Sequence, residues 1–237
     1  MNSLKPVAPD VWIADGPEIR FGFLGIKLPH PTRMTVVKLP QGGLWIHSPI
    51  PPAENLLREL EQIGTVHHLI APNTFHYSWL ADWTTIYPGA QCWGPPGLPK
   101  SVLRTLPHLR MLKPAPPPDW AGSFDQLLAP GNVLKEVAFF HRASRTLILT
   151  DLIENFEASR IRNPWHRRLL EWSGIADQNG AAPLDMRMAF LGHRNILHEA
   201  VRGMIDWNPE RVILAHGRWF DANGAAELAR LFRWVLD

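Results

Sequence analysis

Four polar side chains stand at or just past the ends of short apolar runs. His47 follows LWI, Asp151 follows TLILT and His216 follows RVILA, while His76 closes the turn PNTFH beyond HHLIA. Past the carboxyl ends of strands in an open α/β sheet the loops diverge, and side chains converge there on ligands. Two histidines and a carboxylate meeting at such a place suit a divalent first-row ion such as zinc or iron, whose accepted ligands include imidazole and carboxylate. Three protein ligands would leave a coordination position for water or substrate. A single Asp or His at a strand end is also commonly a cap or a hydrogen-bonded core group, so spacing alone leaves both readings open. Ala215-His216-Gly217 is the more specific phrase, because glycine lets another backbone come close.

Competing chemistry is thin. No serine sits in a Gly-x-Ser-x-Gly elbow, and there is no glycine-rich phosphate loop. Cys92 is the only cysteine, which excludes an internal disulfide and a cysteine-based zinc cage. Within a strand it reads as a small buried hydrophobe. His67 and His68 point to opposite faces of a strand and cannot chelate one ion together. Gly192-His193 precedes a helix and reads as its N-terminal turn. His193 and His198, five apart, lie off a single helical face.

The elements that must position these residues alternate along the first half of the chain. Residues 11–14 (VWIA) and 34–39 (MTVVKL) are β-branched runs, and the turn Gln41-Gly42-Gly43 separates the second from 44–47 (LWIH), a hairpin signal. Residues 51–63 begin with prolines and carry Leu56, Leu57, Leu60 and Ile63 on a helical stripe that Gly64 ends. Residues 67–71 (HHLIA) then close a β–α–β unit with a parallel pair. A turn running into a short helix over 72–82 and a strand at 90–93 follow, and the proline-rich stretch 94–118 reads as an irregular connection. Residues 135–140 (KEVAFF) and 146–150 (TLILT) form a second hairpin. Beyond them the spacing predicts helices over 154–172, 195–207 and 225–236, a glycine-containing loop at 173–182 and a strand at 211–215. No domain boundary stands out, so residues 1–237 read as a single domain.

Hydrophobic residues make up 46% of the 237 and charged ones 19%, a globular rather than disordered balance. A formal charge of +2 gives no argument for a nucleic-acid partner. The apolar runs are strand-sized and none spans a membrane. The opening MNSLKPVAPDVWIADG has prolines and acids where a signal peptide needs an apolar stretch, so the expected location is cytoplasmic. Residues 160–172 set Arg160, Arg162, Arg167 and Arg168 among Trp165, Leu169, Leu170 and Trp172, with Pro164 interrupting. That stretch reads as a helix packed on its own domain, with membrane contact and a lid over an apolar pocket as the two weaker alternatives.

Several phrases resemble the metallo-β-lactamase superfamily. MTVVKLPQGGLWIHSPIP resembles its opening hairpin, and HHLIAPNTFHYSWLADWTTIYPGAQCWGPPGL its metal-motif strand, helix and next strand. KEVAFFHRASRTLILTDLIENF resembles the hairpin ending in the metal-bridging aspartate, and RVILAHGRWF the last strand with its histidine ligand. The likeness runs from Val11 to Phe220 and is closer to an uncharacterised branch, a domain family of unknown function. It implies an α/β fold, an αββα sandwich of two mixed sheets with helices on the outer faces. Asp151 would match the bridging aspartate, His216 the last histidine and His76 the residue closing the His-x-His-x-Asp-His motif. The departures weigh as much. The motif's first two histidines have no counterpart where Pro72, Asn73 and Thr74 stand, Phe75 replaces its aspartate, Gly131-Asn132 replaces a Gly-His turn, and His47 sits where a supporting aspartate belongs.

The resemblance therefore implies one divalent ion, zinc or iron, or none. Its ligands would be His76, Asp151 and His216, with Asp151 and His76 catalytic. His47 and Asn73 would support those ligands or touch substrate, and Glu136 or His141 would be projected toward the same end by their hairpin. Such a site would polarise the carbonyl of a small ester or lactone and supply hydroxide near neutral pH. The alternative is a metal-free, non-catalytic binding or scaffold protein on the same fold, and iron at this site would suit an oxidoreductase.

Overall fold

In the computed structural model, residues 1–21, 28–157, 165, 167–168 and 184–237 are described. The first sheet takes β1 (Lys5–Ala8), β2 (Val11–Asp15), β5 (Arg33–Lys38), β6 (Gly43–His47), β7 (Thr65–Ile70), β8 (Gln91–Gly94) and β9 (Arg110–Met111), in that spatial order. Between β2 and β5 the chain makes a separate two-stranded pair, β3 (Ile19–Phe21) with β4 (Leu28–His30). The second sheet takes β10 (Phe124–Pro130), β11 (Lys135–His141), β12 (Thr146–Ile148) and β13 (Arg211–Ile213). Both sheets mix parallel and antiparallel pairs.

Helices cover the two outer faces. α1 (Glu54–Ile63) buries Leu56 and Leu60, four apart on one face, against the first sheet, and α2 (Leu80–Ile86) buries Leu80 and Trp83 beside them. Removing each such leucine from water contributes about 1.5–3 kcal/mol. α5 (Arg194–Asp206) buries Leu197, Val201 and Met204 against the second sheet, joined by α6 (Gly224–Leu231) and α7 (Arg233–Leu236). Two further short helices are α3 (Lys100–Thr105) and α4 (Leu184–Ala189). Between the sheets lies an aromatic core in which the Trp45 ring centroid lies 4.5 Å from that of Phe124, tilted, and 4.9 Å from that of Phe139, edge-on. The layers are therefore helix, sheet, sheet, helix.

The local signals explain the positioning elements. β5 and β6 pair antiparallel around a turn in which Gly42 takes φ 88°, a left-handed value glycine adopts without penalty. The parallel β6–β7 pair needs a crossover, and α1 supplies it. As β7 leaves its sheet it joins the other: Val137 N–H donates to the Pro72 carbonyl at 2.9 Å, and Asn73 bridges Glu136. That stitch brings the ends of β7, β12 and β13 together.

Some expectations change. The stretch 94–118 is not wholly irregular, since α3 and β9 lie within it. The terminal helix is two short ones, broken at Phe232. Glu154, Asn155 and Phe156 are not helical; Asn155 makes a parallel bridge to Gly217. Of the rest of the proposed basic helix only Glu157 and the exposed, helical Trp165, Arg167 and Arg168 are described, and the loop at 173–182 lies outside the described residues. β12 and β13 stop at Ile148 and Ile213, two residues short of the apolar runs that suggested them. Among the described residues no helix is long and apolar enough to cross a membrane.

Candidate metal centre

Glu136 ends β12 early. Its carboxylate, fully buried on β11, accepts from the Thr150 N–H at 2.7 Å and the Asp151 N–H at 2.8 Å, taking both amides out of the strand ladder. Burial pushes its pKa up, the neighbouring Asp151 carboxylate adds to that, and the two backbone bonds oppose it. Asp151 is thereby turned inward.

Asn73 completes the support. Its amide nitrogen donates to Asp151 Oδ2 at 2.7 Å and Thr150 Oγ1 at 2.8 Å, with Glu136 Oε2 at 3.2 Å. Its carbonyl oxygen accepts from the backbone N–H groups of Phe75 and His76 at 2.8 and 2.9 Å, folding the turn that presents His76. Counted back from His76, Asn73 takes the place of the middle histidine in the His-x-His-x-Asp-His pattern. With both ends of its amide engaged and no exposed surface, it holds other residues and does not face the cleft.

His216 is fixed from the opposite side. Gly217 takes φ 81°, and a Cβ there would collide with the Asn155 carbonyl oxygen. Arg33 donates from Nη1 to the carbonyls of Leu214 and Gly217, both at 2.7 Å, while its guanidinium pairs with Asp15 at 2.8 Å. The loop carrying His216 is thus clamped onto the first sheet. His216 Nδ1 donates to the Pro31 carbonyl at 2.6 Å, an arrangement that fixes the tautomer of a neutral ring and leaves a lone pair at Nε2.

The side chains then meet. His76 Nε2 lies 3.1 Å from Asp151 Oδ1 and 3.1 Å from His216 Nε2, and His216 Nε2 lies 3.0 Å from Asp151 Oδ1. A lone pair of His216 facing a carboxylate oxygen at that distance is favourable only with a shared hydrogen or a metal ion between the groups. Metal–ligand distances of about 2.0–2.1 Å in tetrahedral geometry put ligand atoms about 3.3 Å apart. The observed spacing is close to that, so the three donors fit a small divalent ion, and together they form a group that could hold one. Burial alone would raise Asp151, but the charge His76 can carry and the close approach of both imidazoles hold it well below the usual carboxylate range. Burial would lower His76, and Asp151 more than offsets this, raising it.

The remaining candidates lie elsewhere. His47 is buried between the sheets, its ring stacked on Trp45 at 5.5 Å and edge-on to Phe139 at 5.7 Å. Burial, with repulsion from His76, pushes it down to about 3. His141 is not projected toward the cluster: it stands at the far end of β11 from Glu136, about 17 Å along the strand, and bonds Ser144 Oγ at 2.8 Å. Extended chain puts residues five apart at opposite ends, which the hairpin pattern could not convert into convergence. Cys92 is buried, and burial pushes its thiol up to about 12.

Three residues at the centre were not anticipated. Ser48, directly after β6, bonds His76 Nδ1 at 2.7 Å and takes φ 53°, a left-handed conformation that costs about 1–3 kcal/mol for a non-glycine residue. His30 is edge-on to His216 at 5.5 Å, with its Nε2 3.9 Å from Glu154. Arg33 is the third. Only the adjacency of Ser48 to His47 offered a signal; His30 and Arg33 lie in a segment with no motif. Ser48, His76, Asp151, His216 and His30 line a cleft of about 180 Å³ with Ile19, Phe75, Tyr77 and Trp79.

Comparison with solved structures places this architecture. A fragment of a putative diflavin flavoprotein from Nostoc aligns at TM-score 0.65 and 12% identity, over 98% of this chain and 94% of that one. The metal-soaked flavodiiron core from Synechocystis aligns at 0.64 and 12%, over 99% of this chain and 60% of that one. A metallo-β-lactamase from Hirschia baltica aligns at 0.61 and 9%, over 98% and 97%. These likenesses establish a metallo-β-lactamase-like fold. No curated protein matches the sequence. A family model, described as a domain of unknown function (DUF4336), matches residues 20–163, which carry the hairpin, the His76 turn and Asp151, and the chain belongs to that family.

Proposed function

We propose that the chain is a mononuclear metal-dependent hydrolase acting on the carbonyl of a small ester- or lactone-type molecule. The observation that carries this reading is the mutual approach of His76 Nε2, His216 Nε2 and Asp151 Oδ1 to 3.0–3.1 Å beside a cleft. A divalent ion held by these three, zinc or iron, would supply Lewis acidity toward a carbonyl oxygen and a water acidic enough to act as hydroxide near neutral pH. The chain's own residues do the rest. The Pro31 carbonyl aims His216, Ser48 holds the far side of the His76 ring, and Asn73 occupies Asp151 Oδ2 so that Oδ1 faces the imidazoles. Phe75, Trp79 and Ile19 give the cleft an apolar wall that would exclude water around a short acyl group. At about 180 Å³ the cleft is smaller than the common range of roughly 300–1,000 Å³ for ligand sites, which favours a small substrate.

The test is metal content. Protein stripped with chelator and reconstituted with zinc or ferrous iron is expected to take up one ion per chain, and His216→Ala is expected to take up none while remaining folded. Substoichiometric metal that does not rise on reconstitution would end this reading. It would leave a metal-free binding protein, which one observation favours: a hydrogen on His76 Nε2 can bridge Asp151 and His216 with no ion.

A further inference from the structure

We infer that Ser48 is a nucleophile in the metal-free protein, activated by His76 and Asp151 for acyl transfer from a short-chain ester. This goes beyond the metal reading and does not rest on it. The inference follows from which atoms carry hydrogens. The Pro31 carbonyl can only accept, so His216 Nδ1 donates to it at 2.6 Å, and the neutral ring presents a lone pair at Nε2. Asp151 Oδ1 is a second acceptor. Both face His76 Nε2 at 3.1 Å, so that nitrogen carries the hydrogen of the neutral His76 ring. The lone pair of His76 then lies at Nδ1, 2.7 Å from Ser48 Oγ, and the hydroxyl donates to it. Nucleophile, base and orienting carboxylate thus stand in one hydrogen-bonded series, an arrangement identified by geometry and role rather than by order in the sequence.

Two further observations agree. Ser48 leaves β6 with φ 53°, the kind of strained turn out of a strand that lifts a nucleophile clear of a sheet. It also lines the same cleft as His76 and Asp151, beside the rings of Phe75 and Trp79. In the acylation step Ser48 Oγ bonds to the ester carbonyl carbon while its proton passes to His76 Nδ1. The imidazolium, held at Nε2 by Asp151, gives that proton to the alkoxide as the carbon–oxygen bond breaks, leaving acyl-Ser48 and alcohol. Water then adds to the acyl carbon with its proton taken by His76. The bond to Oγ breaks, Oγ regains the proton, and the acid departs. The sum is ester plus water to acid plus alcohol.

The experiment treats chelator-stripped full-length protein with an alkyl fluorophosphonate, which phosphonylates activated serines with loss of fluoride, and reads intact mass and a peptide map. One adduct per chain is expected, on Ser48, formed at least about 100-fold faster than in His76→Ala. Mapping on the wild-type chain keeps the result independent of whether Ser48→Ala folds. No adduct, an adduct at another residue, or a rate unchanged in His76→Ala overturns the assignment. Excess zinc separates this inference from the metal reading. Ligation at His76 Nε2 would move the ring hydrogen to Nδ1 and stop labelling, whereas Ser48 labelling that zinc leaves undiminished upholds the nucleophile and counts against the metal.

Discussion

Two imidazole–serine pairs stand at opposite ends of the sandwich, and they differ in what lies beyond them. His76 bonds Ser48 at 2.7 Å and His141 bonds Ser144 at 2.8 Å. On the far nitrogen of His76 sit a carboxylate and a second imidazole. At the other end the circuit closes locally: Thr146 Oγ1 donates to the Ser144 carbonyl at 3.2 Å, and the Ser144 hydroxyl donates to Thr146 at 2.9 Å, so it accepts from His141. The hydroxyl at 144 is therefore turned away from its imidazole, while that at 48 is turned toward its own. Burial makes His141 a weaker base, whereas Asp151 makes His76 a stronger one. A short histidine–serine contact is common to both ends; the partner behind the ring is what separates a reactive arrangement from a structural one.

The comparison breaks most sharply at the carboxylate. Asp151→Ala leaves Asn73 and His76 without their shared acceptor, so it is expected to abolish metal uptake and to cost about 3–5 kcal/mol in urea denaturation, the range for breaking a buried charged network. His141→Ala removes a bond to a neutral hydroxyl and is expected to leave metal uptake untouched. Gly217→Ala comes next. It puts a side chain at φ 81° against the Asn155 carbonyl, and a loss of about 2–4 kcal/mol with displacement of His216 is expected. Asn73→Ala is milder in stability, about 1–3 kcal/mol for the buried groups it leaves unpaired. Its sharper readout is metal affinity, expected to weaken about 10–100-fold by isothermal titration because Asp151 loses its orientation. An Asn73→Ala protein that binds metal normally would show that the amide only closes the turn.

The sequence carried the skeleton of this arrangement and little of its wiring. Continuous apolar runs ending in His47, Asp151 and His216 marked the strand ends, because a strand buried on both faces has few polar positions and a polar residue at its close is conspicuous. The leucine stripe of α1 marked the crossover for the same reason. β10 escaped because FDQLLAP ends in proline and mixes faces; pairing with β11 along seven residues makes it a strand. α3 and β9 were hidden by the prolines around them. Arg33 and Ser48 escaped for a deeper reason. Each acts across a distance in sequence, Arg33 on carbonyls 181 and 184 residues away and Ser48 on a ring 28 residues away, and no local pattern encodes such a meeting. Asn73 was visible as a support for the ligands or a substrate contact and Glu136 as a residue at the same end, but the bonds by which they hold Asp151 depend on two sheets being stitched at that point.

The smallest effect is the most discriminating, because the two histidines are expected to respond to pH with opposite signs. Burial alone would lower His76, but Asp151 outweighs it and the folded-state pKa is raised. A raised group stabilises the fold below the unfolded value of about 6.5 and loses that contribution as pH climbs through the folded value. Burial lowers His141, with Asp10 opposing, so its contribution is present above about 6.5 and lost as pH falls through the folded value. His47 and His68, pushed down by burial to about 3 and about 4, act in the same direction as His141 and share the acid limb with it. Urea denaturation of chelator-treated protein from about pH 5 to pH 9 should therefore show a stability maximum whose alkaline side flattens in His76→Gln. His141→Gln should soften only part of the acid side. An alkaline limb indifferent to His76→Gln would mean that Asp151 does not hold a proton on that ring, and the distinction between the two ends of the sandwich would then rest on position alone.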